Sequence, residues 1–254
     1  KLKQYLWSES YPKVLTSATI STGGPQGSSF LKGRLGITEC DEIMLGSPFN
    51  YRDQVKFYIP ADMPDPTPIG PFRDGLVRYI EKFVHKSKGR AFVLFTSIVD
   101  MKYCSTCLYD KFVEAGYLVL VQDGSVGRSR MLEQFREDGQ AVLFGVSSFW
   151  QGVDVRGEAL SNVIITRLPF EVPDHPVVEA RREEITDRGG SDFHEYTLPI
   201  AVLKLKQGFG RLIRTRTDTG SVVILDPRVL RKSYGRRFIQ SLPPCPVITD
   251  PAQM

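Results

Sequence analysis

The stretch Phe72-Arg73-Asp74-Gly75-Leu76-Val77-Arg78-Tyr79-Ile80-Glu81-Lys82-Phe83-Val84, followed by Gly89 and then Ala91-Phe92-Val93-Leu94-Phe95, decides the fold. Phe72, Leu76, Ile80, Phe83 and Val84 recur at the spacing of one helical face. The unbroken apolar run after Gly89 reads as a strand buried on both sides. The pattern repeats downstream: a helix over Val99 to Glu114 stops at Gly116, and a strand follows at Tyr117 to Val121. Further strands are expected at Ala141 to Val146, Asn162 to Thr166 and Ser221 to Leu225. Helices are expected near Arg128 to Glu137, Pro176 to Arg188 and Leu198 to Arg214. Helix-period segments alternating with short apolar runs mean βα units, and so an α/β fold with a mostly parallel central sheet flanked by helices.

Upstream the texture changes. Lys13-Val14-Leu15-Thr16 reads as one short strand, Ser21 to Ser29 is polar and glycine-rich, and Pro60 to Pro71 reads as a proline-rich connector outside the core. With 254 residues, 41% hydrophobic and 24% charged, the chain can bury the core of one large domain. No run approaches the roughly 18 apolar residues that span a bilayer, and Lys1 to Tyr5 lacks the apolar region of a signal peptide. A cytoplasmic address is expected, with no membrane partner. Cys40, Cys104, Cys107 and Cys245 are too few for a disulfide scaffold. Cys104 and Cys107 have no second ligand pair, so reduced thiols and no bound metal are expected.

Charge is unevenly distributed. Between Arg211 and Arg237 eight cations stand against Asp218 and Asp226, an excess of six in a chain whose total is +4. A cluster of this kind suits phosphate, on a nucleotide or along a nucleic-acid backbone, and it also suits a solvated basic face.

In an open parallel sheet, ligands gather at the carboxyl ends of the strands. Small hydroxyl residues follow several expected strands: Thr16 to Thr19, Thr96-Ser97, Ser147-Ser148 leading into Gln151-Gly152-Val153-Asp154, and Thr166 before Arg167. Together with nearby backbone amides they can donate to phosphate oxygens; each alone is more often a plain turn or a helix cap. The run Gln207-Gly208-Phe209-Gly210-Arg211-Leu212-Ile213-Arg214 is more pointed. Two arginines three apart share a helical face and can grip one polyanion. Two glycines, each unfavourable by about 1 kcal/mol in a helix interior, suggest that another backbone or a ligand comes close.

Taken in order, Leu15 to Ile20, Gly46-Ser47-Pro48-Phe49, Leu94 to Ser97, Phe149-Trp150-Gln151-Gly152-Val153-Asp154, Arg167-Leu168-Pro169-Phe170-Glu171-Val172-Pro173, Gln207 to Arg214 and Leu225 to Arg228 resemble the DinG/XPD branch of superfamily 2 helicases across nearly the whole chain. The resemblance implies a RecA-like helicase domain. Residues 1–20 would then be a motif III segment from the edge of a first motor domain, with Ser17 and Thr19 coupling nucleotide state to DNA. Residues 21–254 would be the second motor domain. Thr96 and Ser97 resemble motif IV and, with Ser147, Ser148 and Gln151, would face the nucleic-acid backbone. Gln151, Gly152 and Asp154 resemble motif V, which touches both DNA and nucleotide, with Gly152 and Asp154 on the nucleotide side. Gln207, Gly210, Arg211 and Arg214 resemble motif VI, whose arginines reach across the interdomain cleft to the γ-phosphate: Arg214, Arg211 and Gln207 would then be catalytic, with Arg214 first choice as the arginine finger, and Gly210 would bind the nucleotide. The family pattern carries an acidic residue where Gln151 stands.

The implied cofactors are ATP and Mg²⁺, held mainly by the first motor domain, and the implied partners are single-stranded DNA and that first motor domain. No G-x-x-x-x-G-K-[ST] loop and no metal-holding D-E-A-H-like motif occurs in the chain, so alone it is expected not to hydrolyse ATP, as befits a fragment. Two other classes stay in view. An ATP-independent single-strand-binding module would bind with steep salt dependence. A small-molecule transferase would need a recognisable acid/base pair, and His175 in Pro173-Asp174-His175-Pro176 reads instead as a helix start.

Overall fold

The computed structural model describes residues 5–7, 11–23, 27–150, 155, 159–172 and 175–254, with Ser147 described by its backbone alone. Its framework is seven parallel strands: β1 Val55–Tyr58, β2 Ala91–Leu94, β3 Val119–Val121, β4 Val142–Gly145, β5 Asn162–Ile165, β6 Gly220–Ile224 and β7 Val247–Ile248. They lie in the order β3-β4-β2-β5-β6-β1-β7, and every neighbouring pair is parallel. The helices used below are α1 Ser29–Leu35, α2 Ile69–Lys86, α3 Ile98–Glu114, α4 Arg128–Asp138, α5 Pro176–Asp187, α6 Leu198–Phe209 and α7 Gly235–Ser241.

Right-handed crossovers sort these helices by direction of travel. The steps from β1 to β2 and from β2 to β3 move toward the β3 edge, and their helices α2 and α3 share one face. The later steps move the other way, and α4, α6 and α7 share the opposite face. The core divides accordingly. Phe72, Leu76, Ile80 and Phe83 of α2 and Met101, Cys104 and Leu108 of α3 pack on Ala91, Val93 and Phe95. Leu132 and Phe135 of α4, Leu205 and Phe209 of α6 and Phe238 of α7 pack with Phe92 and Leu94. Alternate residues of β2 thus serve opposite layers, and the strand is buried throughout, as its continuous apolar run requires.

Three expectations are corrected. Residues 13–16 form no strand: Val14 is 89% exposed and pairs with no sheet, so its β-branched side chain has no second layer to fill. The stretch 60–71 is not a connector outside the core. Met63 is fully buried beside Gly75, where an added Cβ would stand 2.9 Å from the Met63 sulfur, and residues 69–71 already belong to α2. The helix expected to reach Arg214 ends at Phe209. The remaining expected helices and strands occur within about two residues of their bounds, while β1 and β7 are additional.

Candidate functional site

Because the sheet is parallel, chemistry can concentrate at two ends. The carboxyl end gathers the turns after β2, β3, β4 and β5. Thr96 is exposed there, and Ser97 caps α3, its hydroxyl accepting the N–H of Asp100 at 3.2 Å. Ser148 accepts a hydrogen bond from Gln122 Nε2 at 2.8 Å, while Gln122 Oε1 accepts the Val146 N–H at 2.8 Å. That glutamine, which sequence reasoning missed, ties the turn after β3 to the turn after β4. Thr166 is buried and donates to the Leu94 carbonyl at 3.1 Å, so it extends the β2–β5 pairing and does not face solvent.

The amino end holds the turn between α6 and β6. Gly210 caps α6, its N–H bonding the Lys206 carbonyl, and the next N–H groups close tight turns onto Gly208 and Phe209. Arg211 and Arg214 therefore stand on a turn and not on a shared helical face. The group that approaches Gly208 closely is Trp150, whose ring a Cβ there would meet at 3.1 Å, whereas a Cβ on Gly210 would meet only the Lys206 and Gln207 carbonyls of its own helix end. Arg211 is 8% exposed and donates from Nη2 to the Trp150 carbonyl at 2.6 Å. The Trp150 indole N–H in turn donates to the Phe95 carbonyl at the end of β2, 3.2 Å away. One buried residue thus touches both the strand end and the arginine turn, immediately before Gln151.

The turn is held by its backbone. The Asp218 carboxylate accepts the N–H groups of Arg214 and Thr215, each at 2.8 Å, and the Thr215 hydroxyl at 2.6 Å. From the other side buried Gln54 donates to the carbonyls of Thr215, Arg216 and Asp218 at 3.2, 3.2 and 2.7 Å. Burial pushes the Asp218 carboxyl up, but the Thr215 hydroxyl, the two backbone N–H groups and the Arg214 charge outweigh it and hold the group below the ordinary aspartate value. Arg214 is half-buried and, with Phe49, Gly210, Ile213 and Thr215, lines a cavity of about 390 Å³. Gln207 is half-buried one turn before.

Gln151, Gly152 and Asp154 lie outside the described residues, as does the Ser147 side chain. Ser17 and Thr19 are joined to each other, the Thr19 N–H donating to the Ser17 hydroxyl at 3.1 Å. His175 is the exposed N-terminal cap of α5. Cys104 is buried, which together with the Asp100 charge pushes its thiol up to about 12, and Cys107 is exposed. Among the described residues no group of three or more His, Cys, Asp or Glu is arranged to hold a metal, and no helix is long and apolar enough to cross a membrane.

Residues 80–245 match the model of the helicase C-terminal domain family. The chain belongs to that family. Among curated relatives it is 40% identical over 230 residues to the ATP-dependent DNA helicase YoaA of Haemophilus influenzae, a match covering 91% of this chain and 35% of that protein. It is 38% identical to the Escherichia coli YoaA, across 100% of this chain and 39% of that protein. It is 36% identical to a Bacillus subtilis protein named 3'-5' exonuclease DinG, across 91% of this chain and 25% of that protein. The chain thus spans about a third of the length of the YoaA proteins it matches. Two solved XPD structures share the fold. An apo XPD structure superposes with a TM-score of 0.63 at 18% identity, covering 87% of this chain and 46% of that one. An XPD helicase superposes at 0.59 with 17% identity, covering 76% and 35%. The fold is RecA-like, as in the XPD structures, and the chain is a helicase C-terminal domain similar to those of the YoaA and DinG proteins.

Proposed function

We propose that this chain is the second motor domain of an ATP-dependent DNA helicase moving 5′ to 3′, that Arg214 is its arginine finger, and that the carboxyl end of its sheet is part of a single-stranded DNA track. Residues 1–20 then belong to the edge of the first motor domain, with Ser17 and Thr19 on the route between nucleotide and strand. The observation that carries this reading is the buried bond from Arg211 to the Trp150 carbonyl. It joins the turn that bears Arg214 to the start of Gln151–Asp154, and through the Trp150 indole to the end of β2. A change at one end of the sheet therefore has a short, packed path to the other.

The described residues fit one flank of a nucleoside triphosphate. Arg214 and Gly210 line the same open cavity with Phe49, Ile213 and Thr215, so an anion there meets positive charge beside a residue that adds no side chain. Mg²⁺-ATP, held mainly by the first motor domain, supplies the phosphoryl group whose transfer drives movement. The part played by this chain is to bring Arg214 to the developing charge. Arg211 stays in place as the brace, and Gln207 and Gly210 shape the approach. A finger delivered from a second domain makes turnover conditional on cleft closure.

The test is Arg214→Ala in the full-length protein. Nucleotide binding should persist while DNA-stimulated hydrolysis falls by about 10³ or more; undiminished turnover would remove the finger assignment. The isolated chain should show no hydrolysis, and unwinding of duplexes with a 5′ or a 3′ tail reads the polarity.

A further inference from the structure

One carboxylate at the carboxyl end of the sheet is shared by two cations that the reading above does not use. Asp100, in the first turn of α3, is buried, with its side chain 5% exposed. Arg73 from α2 donates to its Oδ1 at 2.8 Å, and Arg167, two residues beyond β5, approaches its Oδ2 at 3.3 Å. Both arginine side chains are 24% exposed. A single carboxylate neutralises one of the two guanidiniums, so a unit positive charge is left over. Among the described residues the buried Arg167 Nε has no hydrogen-bond partner. The helix dipole adds to this excess, because both α2 and α3 begin at this end of the sheet.

Register puts the cluster beside the hydroxyl residues. Leu94 of β2 lies opposite Ile165 of β5, so Thr96 and Arg167, each two residues further on, are level at the edge. Around them the surface is apolar and partly aromatic. Ile98 and Val99 are 57% and 63% exposed, and the Arg73 guanidinium stands 5.1 Å from the centre of the partly exposed Tyr103 ring. The Arg167 guanidinium lies over Phe72, 4.6 Å from the ring centre, which fixes its direction.

We propose that Arg73 and Arg167, clasped on Asp100, form a phosphodiester-binding site for a single nucleic-acid strand, with Ile98, Val99 and Tyr103 offering apolar surface to its bases. The proposal rests on the reading that a strand runs along this end of the sheet. The two guanidiniums are pre-set by the carboxylate, so little side-chain freedom is lost on binding, and the excess charge is met by one phosphate. Apolar contacts beside a cationic pair are what a sequence-tolerant single-strand site needs.

The experiment titrates the full-length protein with fluorescein-labelled oligothymidylate at several salt concentrations. Arg73→Ala and Arg167→Ala are compared one at a time, so that in each variant the other arginine stays paired with Asp100. Each should weaken binding roughly tenfold and lower the salt slope by about 0.7, the value for one lost single-strand phosphate contact. A purely structural role would lower the melting temperature and leave the slope unchanged, and that result overturns the site. Thr96→Glu, an exposed position, separates this site from the track itself. If Thr96→Glu weakens binding while both arginine variants bind as the wild type, the clasp is wrong and the track stands. If all three bind as the wild type, both are wrong.

Discussion

The two ends of the sheet hold arginines by opposite means. At the carboxyl end, buried Asp100 grips two guanidiniums directly, and both arginines are anchored by regular elements, α2 on one side and the end of β5 on the other. At the amino end, Asp218 and Gln54 grip the main chain of an irregular turn from its N–H and C=O sides, and the Arg214 side chain rides on that turn. A cation fixed by a charged partner between rigid elements has one position. A cation carried on a turn moves whenever the turn moves, which suits a group that has to meet its target only when a cleft closes. The first arrangement stores its stability in charge and the second in backbone hydrogen bonds, and the two should fail differently.

Asp100→Ala should show the larger stability effect. It leaves two guanidiniums facing each other beside the core and removes the carboxylate that holds α2 to α3. Breaking a buried pair typically lowers stability by about 3 to 5 kcal/mol, and because both arginines reach solvent a loss of about 2 kcal/mol is expected in urea unfolding. Asp218→Ala should lower stability by only about 1 kcal/mol, since the N–H groups it leaves are near water. Its larger consequence should be functional: in the full-length protein, DNA-stimulated hydrolysis should fall about tenfold because the turn no longer holds Arg214 in position. If Asp218→Ala destabilises as much as Asp100→Ala while turnover stays normal, the contrast between the two ends is wrong.

How much of this was legible depended on whether the signal was local. The apolar runs at Ala91–Phe95 and Asn162–Thr166 are long enough to declare buried strands, and the helices that cover them carry clear periodicity. β1 and β7 were not legible. Val55-Lys56-Phe57-Tyr58 is short and starts straight after a single helical turn, and Val247-Ile248 is two residues among prolines, so both are strands only because β6 offers an edge that β1 then extends. The end of α6 misled for a physical reason. Leu205, Phe209, Leu212 and Ile213 are all buried at helical spacing, so the apolar period runs on although the backbone has turned at Gly210. The arginines themselves stood out as a pair, but their holders did not. Gln54 is 161 residues from its first partner, and Asp100 joins side chains from 27 residues before it and 67 after it. Contacts of that range are written in topology and leave no spacing to read.

The smallest effect is the one that acid exerts through Asp218. In the folded chain the Asp218 carboxyl lies below its ordinary value, because the Thr215 hydroxyl, two N–H groups and the Arg214 charge together outweigh its burial. A depressed folded value means that the unfolded chain takes up the proton first as pH falls. The contribution of Asp218 is therefore fully present above the unfolded value of about 4 and is lost as pH drops through the folded one. The stability difference between wild type and Asp218→Asn should thus be flat from neutral pH down to about 5 and shrink below about 4. A difference that instead grew as pH fell from neutrality to about 5 would mean that the carboxyl is raised. The turn would then be held by Gln54 on its carbonyl side alone, and the backbone grip assigned to Asp218 would have to be given up.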